Sequence, residues 1–308
     1  MIAWWADPTL QTVALGGAMV GGVCGSLGTL AYLRRQSLIG DVVAHSSLLG
    51  IMTAFLLAYA ITGAGSRQPA VLLPGATVAG LAAAGLVTLL TRWTSLREDA
   101  SLGVMLALFF ATAMVALGWI ERADPPIAGR AGLNQFLFGQ AAATNRRDVG
   151  WILAIGAAAV VLMVAAWPRL KAYTVDPQHA RGLGIGRGAT EILLTTLLVL
   201  GIVVGIQSMG VVLVVSMLTA PAASARQWTG GMGTMTALAG GIGAASATVG
   251  AVVSGTVRHV PTGPVIVLIL TAVFVVSITV SPGRGWMSVW WQRRRARRAT
   301  AIVPSDAR

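Results

Sequence analysis

The sequence predicts an all-α polytopic membrane protein, a bundle of eight to nine transmembrane helices, and three observations predict it. Of 308 residues, 56% are hydrophobic and 10% are charged, where soluble domains carry about 25% charged residues. Mean hydropathy is +0.77. Apolar runs long enough to cross about 30 Å of hydrocarbon recur along the chain, with arginines gathered at their ends.

The runs lie near 11–33, 39–61, 70–92, 99–120, 149–167, 190–220, 232–256 and 263–281. The first begins after Met1-Ile-Ala-Trp-Trp-Ala-Asp-Pro, which has no basic stretch of the signal-peptide kind, so this span is expected to be retained. The run 190–220 is long for one crossing at about 1.5 Å per residue. Gln207-Ser-Met-Gly interrupts it, and two short or re-entrant helices are expected there. Leu133-Asn-Gln-Phe-Leu-Phe-Gly139 is too short to span and reads as re-entrant or interfacial. Asp176 reads as the N-cap of an interfacial helix. Glu191 opens a helix, where a carboxylate suits the positive end of the dipole. Many of the 38 glycines recur on helical faces, as in Gly16-Gly17, Gly21-Gly22, Gly25 and Gly28, and are expected to let helices approach closely. One transmembrane domain over 1–285 and a basic tail over 286–308 follow.

Arginine placement orients the bundle. Arg34, Arg92, Arg97, Arg169, Lys171, Arg181, Arg187, Arg226 and the tail Arg293–Arg298 fall on one side if the spans alternate. Arg67, Arg122, Arg130, Arg146, Arg147 and Arg258 fall on the other, at lower density and among acidic residues. The positive-inside rule then places the N-terminus outside and the C-terminus in the cytoplasm. The net charge of +12 sits at span ends and in the tail, where it meets anionic lipid headgroups. No basic soluble domain exists to bind nucleic acid. The single cysteine, Cys24, excludes an internal disulfide and a cysteine metal cluster. The single lysine, Lys171, follows Leu170, so the Gly-Lys-Ser/Thr of a phosphate-binding loop is absent and the chain is not expected to be an ATP-hydrolysing enzyme.

Asp41 is the carboxylate inside an apolar run, and His45 follows it by four residues. On a helix the two share a face. An ionisable residue in a span costs about 3 kcal/mol or more and marks an ion or substrate path. One oxygen donor and one imidazole suit a divalent transition metal. The alternative is a helix-helix hydrogen bond from Asp41 with His45 packed beside it. Counted inward from Arg34 and Arg35, the pair is expected near mid-membrane. Gln207 is a polar group in mid-span, where an interhelical hydrogen bond is the default and a path-lining role the alternative.

Six separated stretches form one pattern. They are Ser37-Leu-Ile-Gly-Asp-Val-Val-Ala-His-Ser-Ser-Leu-Leu-Gly50, Arg97-Glu-Asp-Ala-Ser-Leu-Gly103, Leu133–Gly139, Asp176-Pro-Gln-His-Ala-Arg-Gly-Leu-Gly184, Gln207–Arg226 and Pro261-Thr-Gly-Pro264. Their order resembles the permease subunit of metal-ion ABC transporters, the zinc/manganese/iron class of the ABC-3 or cluster 9 family, across about residues 12–280. The chain departs at Ala44, where that family has serine, at Leu49, where it has proline, and at His259, where it often has an acidic residue or asparagine.

The resemblance implies a fold like type II ABC importers and an import function across a bacterial plasma (inner) membrane. It implies a homodimer, a separate cytoplasmic ATPase and an extracytoplasmic metal-binding protein as partners. The cargo it implies is Mn²⁺, Zn²⁺ or Fe²⁺, with no permanently bound cofactor. It assigns Asp41 and His45 to the metal path and Pro221, Ala222, Ala223, Ser224, Ala225 and Arg226 to coupling with the ATPase. His259 joins Gln207 as a path-lining candidate, with a surface histidine as its alternative. Two other readings stay open. A siderophore or vitamin permease would share the architecture without needing the Asp41/His45 pair. An intramembrane metalloenzyme would need a third ligand and a general base, and no His-Glu-x-x-His occurs.

Overall fold

The computed structural model describes residues 8–34, 36–138, 146–256, 262–282 and 285–288. His259 and all but the start of the 286–308 tail lie outside the described residues. The described residues form helices joined by short connections. The long ones are α1 (Pro8–Leu33), α2 (Ser37–Thr62), α3 (Pro69–Trp93) and α4 (Glu98–Arg122). A four-residue turn, α5 (Gln135–Phe138), precedes α6 (Arg146–Ala165), α7 (Trp167–Val175) and the short α8 (Pro177–Gly182). The set closes with α9 (Arg187–Met209), α10 (Val211–Trp228), α11 (Met232–Thr256) and α12 (Thr262–Val280).

Seven of these are long and apolar enough to cross a membrane, and eight if α6 and α7 count as one span broken by a 69° bend. Pro168 stands at the second residue of α7, where its missing N–H costs nothing to a helix that starts anew. The chain is a multi-pass membrane protein. Arg34, Arg187 and Glu191 meet at one end of the bundle, and Gln36 donates to Glu98 there. At the other end Arg67 donates to the Ala131 carbonyl at 2.7 Å, and Gly65 N–H to that of Ala128 at 2.9 Å. Arg130 there reaches the Glu121 carbonyl at 2.9 Å.

The core seam is α1 against α11, and glycine makes it. A Cβ at Gly21 would fall 2.3 Å from the Gly243 carbonyl oxygen, one at Gly25 2.5 Å from that of Ala239. On the neighbouring face a Cβ at Gly28 would fall 1.8 Å from the Leu218 carbonyl oxygen of α10. With no bulk hydrophobic drive between helices in lipid, such close approach supplies the dispersion contacts that hold them. Thr29 and Thr236 add a hydroxyl-hydroxyl bond at 2.9 Å across the seam, and the Cys24 thiol donates to the Gly201 carbonyl at 3.4 Å.

The run 190–220 resolves into α9 and α10, which break at Gly210 with φ 78° and ψ 164°. That conformation is open to glycine and essentially to nothing else. The break sits three residues past Gln207, and the chain folds back so that Val214 lies beside Gly205. Pro221 does not open a helix as a first-turn proline would. It lies in the interior of α10, whose neighbours cover the gap it leaves in the hydrogen-bond ladder. Asp176 caps α8 as the sequence predicts, accepting from the N–H of Gln178 at 2.8 Å and His179 at 3.0 Å. The His179 and then the Gln178 amide bonds hold its carboxyl below the usual range.

Candidate functional site

Helix α2 runs unbroken from Ser37 to Thr62, with Leu49 inside it, so no proline kink bends the segment that carries Asp41 and His45. The two are the fifth and ninth of its 26 residues. Asp41 lies about 6 Å and His45 about 12 Å along the helix from Ser37.

Burial divides α2 into two faces. Val42, Val43, Ala44, Ser46, Ser47 and Leu48 are fully covered by the rest of the chain. Asp41, His45 and Leu49 are half-buried and Thr53 is exposed, a stripe at steps of four residues. The chain's own helices therefore leave partly open the face that carries its charge. Among the described residues no ion pair takes Asp41. The Nδ1 of His45 is buried without a hydrogen-bond partner among them. Phe110 of α4 packs edge-on to the imidazole, with ring centroids 4.7 Å apart at 67°. That ring covers one side of the imidazole.

The other candidates do not join this pair. A Cβ at Gly80 of α3 would touch Val43 and Ser47 of α2 and Val199 of α9, which puts those residues at one level. Gln207 is eight residues further along α9, about 12 Å deeper. It is half-buried and hydrogen-bonded or paired within the structure. His259 lies outside the described residues. In the Pro221–Arg226 segment, Pro221, Ala222, Ser224 and Ala225 are buried, while Ala223 and Arg226 keep part of their surface. Ala222 and Ala225 pack on Met235 and Ala239 of α11, beside Tyr32 and Leu33. The small residues thus serve internal packing first.

Sequence reasoning missed two partners. Phe110 stands in a separate helix, and nothing in its local pattern points to His45. Glu191, assigned to a helix dipole, instead bridges Arg34 at 3.6 Å and Arg187 at 3.7 Å. The second of these was readable from the i, i+4 spacing. Two protein donors fall short of the four that a closed structural metal site needs. Among the described residues no group of three or more His, Cys, Asp and Glu is close enough to hold a metal. Such an open pair fits passage of an ion better than its storage.

Known proteins match this architecture over nearly its full length. The zinc transport system membrane protein TroC of Treponema pallidum (strain Nichols) is 40% identical over 291 residues, covering 94% of this chain and 95% of that protein. The manganese transport system membrane protein MntC of Bacillus subtilis (strain 168) is 35% identical, covering 96% of this chain and 66% of that protein. Among solved structures, PsaBC from Streptococcus pneumoniae in complex with Fab aligns with a TM-score of 0.79 and 26% identity, over 93% of this chain and 97% of that one. A family model spanning residues 6–281 takes in the six motifs, the glycine seam and the helix of Asp41 and His45 together: the chain belongs to the ABC 3 transport family.

Proposed function

We propose that this chain is the membrane subunit of an importer that passes a divalent transition metal, Mn²⁺, Zn²⁺ or Fe²⁺, across a plasma membrane. One observation carries the reading: Asp41 and His45 share the partly uncovered face of α2. A carboxylate facing lipid would be costly, so that face belongs against water or against another protein surface. A second copy related by a two-fold axis meets both needs. It would set two carboxylates and two imidazoles around one path, enough to hold a desolvated ion and too open to trap it. The names of the relatives, zinc and manganese transport systems, support a metal as cargo.

Energy comes from a separate ATPase subunit in this reading, and an extracytoplasmic solute-binding protein delivers the ion. The ATPase would meet the end of the bundle that holds Arg34, Arg187 and Arg226, which is also the more basic end and so the cytoplasmic one. Of the Pro221–Arg226 segment, Ala223 and Arg226 are the residues with surface left to offer it.

The test is metal content, read by mass spectrometry, in cells expressing the chain with its ATPase and binding protein. Wild type, Asp41→Ala and His45→Ala are compared for Mn²⁺, Zn²⁺ and Fe²⁺ at matched membrane levels. Accumulation of one metal that both substitutions abolish is the expected result. Unchanged accumulation in both variants would reduce the pair to packing. No accumulation of any metal by an intact assembly would overturn the metal reading.

A further inference from the structure

A polar cavity and an apolar groove meet between α3 and α9. At the Arg34 end, a cavity of about 320 Å³ is walled by Arg34, Arg92, Arg187, Glu98, Glu191 and Gln36. It continues through Ala84, Thr88 and Thr195 into an open groove of about 600 Å³ along Leu81, Gly85, Leu89 and Ile192. The two helices touch at Gly80, where Val199 would lie 3.1 Å from a Cβ, and they part toward Arg92 and Arg187. From Leu81 to Arg92 the groove runs about 16 Å, half the hydrocarbon thickness of about 30 Å and so one leaflet.

The charges in this cavity are unevenly committed. Arg34 is engaged twice, by Glu191 at 3.6 Å and by the Tyr173 ring 5.2 Å below it. Arg187 reaches Glu191 at 3.7 Å with 56% of its side chain exposed. Arg92 is exposed and makes no ion pair or hydrogen bond among the described residues. Glu191 is paired with these arginines, while Glu98 accepts from the neutral Gln36 and keeps its charge. Three arginines against two carboxylates leave the cavity net positive, with Arg92 and the outer face of Arg187 next to the apolar trough.

We propose that this is a binding site for an anionic glycerophospholipid. Its phosphodiester sits between Arg92 and Arg187, and one acyl chain lies in the groove over Gly85. Arginine forks match phosphate oxygens in two-point fashion, and basic pockets between spans bind anionic headgroups. A soluble anion would use the cavity and leave the groove empty, whereas the continuity of the two calls for a ligand polar at one end and apolar along its length.

The test is native mass spectrometry of the purified transporter assembly, titrated with phosphatidylglycerol or with phosphatidylcholine of the same acyl chains. Phosphatidylglycerol is expected to be retained in preference. Arg92→Gln and Arg187→Gln are each expected to weaken its retention about five-fold, the scale of one basic residue at an anionic headgroup. Gly85→Phe fills the trough at a position where a Cβ meets no atom within 4 Å, and is expected to weaken it without disturbing the fold. Gly118→Phe on α4, equally open, is expected to leave it unchanged. Equal retention of the two lipids, or retention unaffected by all three groove variants, overturns the proposal. So does a Gly85→Phe protein that loses its second copy while keeping its lipid, since the groove is then an interface between copies.

Discussion

Two regions of this bundle are built on opposite terms. Along α1 the most apolar stretch is 72% buried, and its glycines bring backbone against backbone at α11 and α10. Along α4 the same measure is 28%, and large apolar side chains such as Val104, Leu108, Val115 and Trp119 face outward. Gly103 and Gly118 of α4 have nothing within 4 Å of a Cβ, in contrast to Gly21, Gly25 and Gly28. Helix α2 stands between the two regions. Its covered face packs chiefly on α3 and α4 and joins the main core through Val43, Ala44 and Leu48, and its open face carries Asp41 and His45. The difference teaches a division of labour. The glycine seam binds α1 to α11 and α10, whereas α2, held chiefly by α3 and α4, keeps its polar stripe partly open.

The sharpest way to break that comparison is to place side chains in both regions. Gly28→Leu sets a Cβ 1.8 Å from a main-chain oxygen that no rotamer change can move. Overpacking of this kind costs about 1–3 kcal/mol or more. Loss of monodisperse protein, or a melting temperature lower by several degrees, is expected on size-exclusion and thermal-shift measurement. Gly118→Leu should leave melting unchanged or slightly raised, since leucine is the better helix former. Equal tolerance of both substitutions would erase the distinction.

Next in size is Asp41→Asn. Removing a charge from a half-buried site relieves desolvation, so melting should hold or rise. Metal accumulation should fall at least about tenfold, the scale seen when even outer-shell partners of a metal site are removed. A parallel fall in both would place Asp41 in the scaffold instead. Phe110→Ala sharpens the boundary further. An edge-on aromatic pair is worth about 0.5–1.5 kcal/mol, and accumulation should drop by about tenfold or less, read from dose-response curves, while the seam and its melting behaviour persist.

The smallest effect lies outside both regions. Asp176→Ala should speed amide hydrogen exchange over Pro177–Gly182 and nowhere else. In the unmodified protein the same loosening should appear only at acid pH. The carboxyl is held below its unfolded range, so its contribution is complete above that range and is lost as pH falls through the folded one. Fraying of α8 already at neutral pH would contradict this sign.

The spans were legible because apolar length is a one-dimensional property, although seven or eight are found among the described residues where eight to nine are expected; so were the break after Gln207 and the Asp176 cap, each a matter of a few adjacent residues. The seam was half legible: glycine spacing on α1 marked a face for close approach without saying that Gly243 and Leu218 would be what it meets. The helical stripe through Asp41 and His45 followed from spacing. Its openness did not, because coverage depends on which helices stand beside α2. Phe110 against His45 and Arg34 against Glu191 join residues far apart in sequence, and neither leaves a local trace. The place of Pro221 inside α10 was not legible, for a physical reason. In a soluble helix an interior proline breaks the rod, but inside a bundle its neighbours make good the loss.

The turn at Gly210 has a consequence for the wall of the bundle. Met209 reaches the level of Gly17, nine residues inside the start of α1 and so about 13 Å short of where that helix begins. The α9–α10 hairpin therefore turns short of the start of α1, and Leu133 and Leu137 share the main core with Met209 and Val211 through the α5 segment that touches both helices. At this place the wall is a joint between a hairpin tip and a short helical segment, where α1, α2, α3 and α4 are continuous rods. A rod seals by its own hydrogen bonds. A joint seals only while its two halves stay pressed together, and its tightness is a property of contact that can differ from one state of the protein to the next.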